Sequence, residues 1–324
     1  MHTPALRTPL LIGLVTAATA LPTTLPAASS PLLAQASSGG TSRNSAFFQK
    51  AQRELSGNYY FLYRIVDRLA RANDLDKSPW RIQNIPEYDM NAYATQVNLI
   101  AVYTGLLDVL AGDADAMACV IGHEMAHHVE RHIPLKQVNA AQAQQRVEAK
   151  EQELVRQERN RQSAARTWSF LGGLVRQATG FGIPINPVGQ ADPEKMREEL
   201  RQTAASENQN LALASQQHEF EADRIGYQYM SRAGFDPKGC LRMMEALGRM
   251  PQAEFEGTHP ATSRRMDQLR SLMVEMPASA LAAEGRSRLQ GTAALTYAES
   301  ADRSSLRVNS RFGSAKGGFM MNDL

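Results

Sequence analysis

Ala118-Cys119-Val120-Ile121-Gly122-His123-Glu124-Met125-Ala126-His127-His128-Val129-Glu130-Arg131-His132 is the stretch on which the reading of this chain turns. It contains His-Glu-x-x-His within a helical pattern. Residues four apart share a helix face, so His123 and His127 can hold one metal ion from adjacent turns. Glu124 lies beside them, placed as a general base toward an attacking water. Gly112-Asp113 offers a helix N-cap just upstream. Five-residue patterns this loose also arise by chance. The flanks argue against chance: Met117, Val120, Ile121, Met125 and Ala126 make the helix apolar enough to bury. Two imidazoles and a carboxyl inside a buried helix are costly unless paired or metal-bound. Imidazole suits zinc, and a catalytic zinc site takes three protein ligands plus an open position. A third ligand is therefore expected elsewhere in the chain.

The 324 residues carry a net charge of +2 and are 43% hydrophobic, enough for one good core with an appendage. Near-neutral charge, and the lack of a Lys/Arg cluster interleaved with aromatics, speak against a nucleic-acid partner. Arg7, the apolar run Pro9–Leu21 and the small-x-small sites Ala18-Thr19-Ala20 and Ala34-Gln35-Ala36 have the layout of a secretory signal peptide over residues 1–36. The run is short for a membrane span, with an uncleaved anchor as the alternative. The absence of a Cys near the cleavage region disfavours a lipoprotein. The expectation is an exported protein of the periplasm or an equivalent lumenal or extracellular space, either free or membrane-associated. Export permits a disulfide between Cys119 and Cys240, yet both read better as small buried thiols; a metal role for Cys119 is the weaker alternative.

A Ser/Gly-rich lead-in (37–45) precedes helical spacing over 46–73, divided at Ser56-Gly57-Asn58. Trp80–Ile85, Asn91–Ala94 and Leu99–Tyr103 read as strands, and Gly105–Leu110 as a short helix. Pro134–Arg166 reads as a long, mostly solvated helix, since sustained apolar heptads are missing. Trp168–Gly189 mixes Phe170, Leu171, Leu174, Val175, Phe181 and Ile183 with five Gly and two Pro. It is too broken to span a membrane; a surface loop, a lid over the cleft or a membrane-touching loop are the readings. Asp192-Pro193 and Asp236-Pro237 are helix starts. The first of these helices is expected to reach Arg232 with one interruption, and the second to cover Lys238–Met250. His259-Pro260 opens a last helix to about Met273. The pattern dissolves from Ala278, so residues 278–324 read as a poorly ordered tail.

For the third ligand, the metzincin extension is excluded, because it needs Gly and His where the chain has Glu130 and Ile133. Glu148 sits in a hydrophilic run and reads as solvated. The better candidate lies in His218-Glu219-Phe220-Glu221-Ala222-Asp223-Arg224. Glu219 and Asp223 share one helix face, and Ala222 is small enough to let another helix approach. Glu219 can bind zinc while Asp223 accepts a hydrogen bond from a ligating imidazole. Glu221 and Arg224 read as solvated, and His218 as a rim residue.

These motifs, with Asn91-Ala92-Tyr93-Ala94, Gly105-Leu106-Leu107, Arg131-His132 and His259-Pro260 with Arg265, resemble the gluzincin zinc peptidases that include HtpX, the CAAX prenyl protease, the mitochondrial OMA peptidase and BepA. They occur in that family's order over roughly positions 45 to 275. The signal-like N-terminus points to its soluble BepA-like and OMA-like branch, although no helical-repeat domain follows. The resemblance implies an α+β, predominantly helical zincin-type domain over 46–277, with a small β-sheet, a helical and Gly-rich insert at 134–190, and one zinc. It implies His123, His127 and Glu219 as ligands and Glu124 as general base. It further implies a substrate-binding edge strand at Asn91–Ala94, where unfolded chains add by backbone hydrogen bonding. In that branch the loop histidine matching His259 can approach the zinc, so His259 is expected to close the site as a fourth ligand and hold the enzyme latent. Arg265 either stabilises the oxyanion or braces the loop. The function implied is a zinc endopeptidase of misfolded or unassembled envelope proteins. The alternative is a chaperone-like assembly factor that holds clients in the same groove.

Overall fold

The structure is a computed structural model that describes residues 42–95, 97–179, 193–249 and 262–313. The signal-like N-terminus, most of the lead-in, Asp192 and His259-Pro260 lie outside them.

Helices α1 (Ser42–Glu54) and α2 (Gly57–Ala72) are divided where the Ser-Gly pair falls, and the Ser56 hydroxyl accepts a hydrogen bond from the Tyr59 amide. Helix thus begins at Ser42, a few residues sooner than the lead-in read from the sequence allows. Strands β1 (Trp80–Ile85), β2 (Ala92–Ala94) and β3 (Leu99–Tyr103) follow, then α3 (Thr104–Leu110) and the motif helix α4 (Ala114–Val129). Asp113 caps α4 by accepting from the amides of Asp115 and Ala116. Next come α5 (His132–Thr179) and α6 (Pro193–Arg232), then α7 (Lys238–Leu247), α8 (Thr262–Glu275) and α9 (Ala278–Gly291), and finally β4 (Tyr297–Glu299) and β5 (Ser305–Val308). This is the predominantly helical α+β arrangement expected.

The five strands form one sheet in the order β2-β3-β1-β5-β4. β1 runs parallel to β3 with Ile82 opposite Ile100, and antiparallel to β5 with Ile82 opposite Leu306. β2 forms the edge, with Tyr93 opposite Ala101. The core lies between this sheet and the helices. It is filled by Leu62, Ile65 and Leu69 of α2, Met117, Ile121 and Met125 of α4, Tyr227 and Met230 of α6, and Met244 of α7, all fully buried.

Three expectations need correction. Residues 278–313 are ordered. The cause lies on α2, whose buried face carries polar groups that must find partners. Asp67 and Arg71 pair at 2.7 Å, both nearly inaccessible. The Asp67 carboxylate also accepts from the Leu295 amide, and Arg71 donates to the Leu289 and Thr292 carbonyls. The hydroxyls of Tyr63 and Tyr59 donate to the carbonyls of Leu295 and Ser304. The C-terminal stretch thus satisfies α2 while Leu295, Leu306 and Val308 join the core.

Secondly, the long helix after the motif does not stop near Arg166. Its backbone stays helical to Thr179, and α6 runs unbroken from Pro193. The two pack together as an antiparallel arm, with Ala143 and Leu154 buried and Arg146 and Lys150 paired to Glu207 and Glu199. Thirdly, Cys119 and Cys240 are joined in a disulfide, with Cα atoms 5.2 Å apart. Both are buried as expected, but the bond staples α4, one turn before His123, to α7. Closing a loop of 121 residues restricts the unfolded chain strongly. Replacing both cysteines by Ala is expected to cost about 2–5 kcal/mol, measured by denaturant unfolding. The unreduced, unfolded wild type should show no reactive thiol; two titratable thiols would contradict the pairing.

Candidate metal centre

α4 and α6 cross at backbone contact. A Cβ placed on Gly226 would stand 2.8 Å from the His123 amide nitrogen and 3.0 Å from the Gly122 carbonyl carbon. Ala222, one turn earlier on α6, is fully buried. A small residue at Ala222 was expected to admit a neighbouring helix, and it does; the tightest approach is at Gly226. The pair Ala222/Gly226 at i,i+4 was the signal for this crossing. Proximity of the two helices brings the short side chains of Glu219 and Asp223 to the imidazoles of α4.

His123 Nε2 lies 3.3 Å from Glu219 Oε2, and His127 Nε2 lies 3.4 Å from Glu219 Oε1 and 3.0 Å from His123 Nε2. One ligand atom from each of His123, His127 and Glu219 falls within 4.8 Å of the others, the one such cluster among the described residues. Two imidazoles and a carboxylate converging in this way suit zinc and leave room for a fourth position. Glu124 and Asp223 are buried at the same place.

Asp223 Oδ1 stands 3.0 Å from His123 Nδ1, the orienting position expected of it. Arg265, from the first turn of α8, donates to both Asp223 oxygens at 2.7 Å and sits 3.4 Å from Glu219. These contacts are to the carboxylates of α6, a placement distinct from both the oxyanion and the loop-bracing roles read from the sequence. Burial opposes ionisation of Asp223, but Arg265 and then His123 outweigh it and hold the carboxyl below its usual range. Burial likewise opposes a charged His123, yet Asp223 and Glu219 push its pKa up to about 10. The pocket is thus built to hold positive charge, as a proton or as a metal ion.

Further histidine contacts surround the cluster. His128 Nδ1 lies 2.9 Å from the Thr95 carbonyl, and its ring meets Trp80 edge-on at 5.4 Å, fastening the end of α4 to the β2–β3 turn. His132 reaches back to His127, Nδ1 to Nδ1, at 3.1 Å. His218 is stacked on His132 at 4.4 Å, so it is more than a rim residue. Glu221, expected to be solvated, pairs with Arg224 as a surface residue would but also lies 3.4 Å from His132 Nε2. Glu148 is exposed and bonded to Gln144, clear of the site.

Glu124 and His123 line a pocket with Asn91 and Ala92 of the edge-strand region, Leu247 of α7 and Arg265. On the other side, His127 opens to a cleft of ≈ 480 Å³ bordered by Trp80, Thr95, His128 and Arg131.

Gly226→Ala should force α4 and α6 apart, costing about 1–3 kcal/mol and weakening zinc binding; unaltered stability and affinity would contradict the crossing. Because metal must displace the proton favoured on His123, zinc affinity should rise with pH toward about 10, by up to about tenfold per unit. Competition with a chromophoric chelator between pH 6 and 9, a range set as roughly neutral, would read this out.

The chain was compared with known proteins. It is 26% identical over 216 residues to the β-barrel assembly-enhancing protease of Escherichia coli (strain K12), covering 64% of this chain and 37% of that protein. It is 27% identical over 206 residues to the mitochondrial metalloendopeptidase OMA1 of Saccharomyces cerevisiae, covering 60% and 47%. It is 25% identical over 207 residues to the metalloprotease LoiP of E. coli, covering 63% and 67%. The chain thus spans less than half the length of the first two. No solved structure matches significantly. The model of peptidase family M48 matches residues 60–273, which include every residue of the metal cluster as well as Glu124, Asp223 and Arg265. By that match, and with the family's zinc-ligand set gathered in one buried place, the chain belongs to peptidase family M48, the zinc metallopeptidases.

Proposed function

We propose that the chain is a zinc-dependent endopeptidase acting on misfolded or unassembled proteins of the cell envelope. The observation that carries this is the pocket shared by Glu124, His123 and the edge-strand residues Asn91 and Ala92. When bound, zinc acts as a Lewis acid toward a carbonyl and lowers the pKa of water to about 7. His123, His127 and Glu219 would hold it. β2 pairs with β3 alone among the described strands, so its outer edge offers backbone donors and acceptors to an extended substrate. Glu124, buried at the inner end of that edge, takes the proton from the attacking water and returns it to the leaving amine. Arg265 is committed to Asp223 and Glu219, so it keeps the carboxyls ordered rather than meeting the reacting carbonyl.

Backbone pairing along an edge gives little sequence selectivity and suits unfolded segments. The name of the E. coli relative, a β-barrel assembly-enhancing protease, and the signal-like N-terminus support an envelope setting. Among the described residues no helix is long and apolar enough to cross a membrane. Peripheral membrane contact through 168–189 is a further part of the proposal: the backbone of 168–179 continues α5, roughly 50 Å along the helix from the metal site, and 180–189 lie outside the described residues.

Latency through His259 is the second part of the proposal. The described chain on either side of that histidine is anchored at the site: Leu247 at the end of α7 and Arg265 near the start of α8 both line the pocket beside His123 and Glu124. A fourth protein ligand arriving from the segment between them would close the open position.

Cleavage of an unfolded protein such as casein should be lost in Glu124→Gln, by at least about a hundredfold, at matched zinc content. His259→Ala should raise basal cleavage. Equal activity of Glu124→Gln and wild type would refute the peptidase reading. Inactivity of wild type and of His259→Ala alike, with zinc bound, would favour a factor that holds its clients without cutting them.

A further inference from the structure

Each ligand imidazole has a second ring nitrogen, and the two are served differently. His123 turns Nδ1 to the carboxylate of Asp223. His127 turns Nε2 to the metal cluster, and its Nδ1 meets another histidine, His132, at 3.1 Å. A ligating histidine usually donates its second N–H to a carboxylate, a carbonyl or water. An imidazole in that position imposes a stricter donor and acceptor pattern.

The pattern follows from counting hydrogens. His127 Nε2 must present a lone pair to a metal, so its Nδ1 carries the hydrogen. That hydrogen needs an acceptor, so His132 Nδ1 must be bare. His132 then carries its own hydrogen on Nε2, which faces Glu221 Oε2 at 3.4 Å. The rings of His127 and His132 stand 5.0 Å apart and 80° to each other, and His132 lies flat on His218 at an interplanar angle of 7°. His132 is 3% exposed, so water does not substitute readily for either partner. The local backbone builds this contact. On an unbroken helix, residues five apart point about 140° away from each other. Here α4 ends at Val129, Arg131 takes a left-handed conformation (φ 58), and α5 begins at His132. The reversal aims the first side chain of α5 back at α4.

We propose that His132 is the positioning residue for His127: it fixes the tautomer that leaves Nε2 free for zinc and holds the ring in place, with Glu221 as the terminal acceptor. The proposal rests on the reading of His123, His127 and Glu219 as zinc ligands. Because His132 opens α5 while His218 and Glu221 belong to α6, it also places the base of the helical arm in direct hydrogen-bond contact with a metal ligand.

The test uses the full chain and zinc alone. His132→Phe keeps a flat ring against His218 but removes the acceptor; His132→Asn restores an acceptor near the Nδ1 position. Zinc affinity by chelator competition, the visible absorption of the cobalt(II)-loaded protein and the melting temperature of the zinc-free protein are measured for each. His132→Phe should weaken zinc binding by about 10–100-fold and change the cobalt spectrum, with His132→Asn recovering to within about threefold of wild type. Should His132→Phe fail to fold, Glu221→Leu at a half-exposed position serves instead, with an expected loss of about threefold or more and a cobalt spectral change. Wild-type affinity and spectrum in the folded His132→Phe, or in Glu221→Leu, would overturn the proposal, as would equal losses in His132→Phe and His132→Asn. Failure of the underlying reading looks different: wild type would bind no zinc, or His127→Ala would bind it as tightly as wild type.

Discussion

The centre of this molecule depends on a charge imbalance held away from water. Glu124, Glu219 and Asp223 are all buried within reach of a single buried guanidinium, that of Arg265. Three carboxyls against one fixed cation is an arrangement that solvation cannot relieve and that a divalent ion would balance. The raised pKa of His123 expresses the same deficit of positive charge. Glu219 and Asp223 reach Glu124 and the imidazoles only because α4 and α6 meet backbone to backbone at Gly122 and Gly226. A larger residue there would move Glu219 and Asp223 outward by the width of a methyl group, enough to break contacts of about 3 Å.

The rest of the fold holds that crossing in place. The disulfide and Arg242 both tie α7 to the front of α4, the latter through Asp113, the residue that caps the motif helix. His128 holds the other end of α4 to the turn beside the edge strand. Arg265 draws α8 onto α6 through Asp223. The motif helix is thus constrained from three directions, and the edge strand is kept in register with it. Pre-organisation of this kind matters because general-base chemistry is sensitive to displacements of about 1 Å.

Much of the site is legible in the sequence. His123, Glu124 and His127 declare themselves because ligand spacing on a helix is a local property with a period of 3.6 residues. Glu219 and Asp223 are legible for the same reason once a third ligand is sought. The Asp113 cap, the division at Ser56 and the three strands of residues 80–103 are likewise local, and each is found where its signal stands. The C-terminal stretch is not legible in this way, because its order depends on groups far away. Ala, Gly, Ser and Arg residues look unstructured until the buried Asp67 and Arg71 of α2, more than 200 residues earlier, take their partners from it.

The sequence by itself determined the chemistry: which side chains can bind zinc, which can act as a base, and which helix carries them. These properties follow from residue type and helical period. Tertiary structure alone decided the company those side chains keep. Two cysteines 121 residues apart become a bond because α4 and α7 lie side by side. Arg265 turns to Asp223 and Glu219 because α8 crosses α6. His132 meets His127 because the chain reverses at Arg131. No periodicity records such contacts, since each is set by the crossing of elements whose relative placement comes from the packing of the whole core.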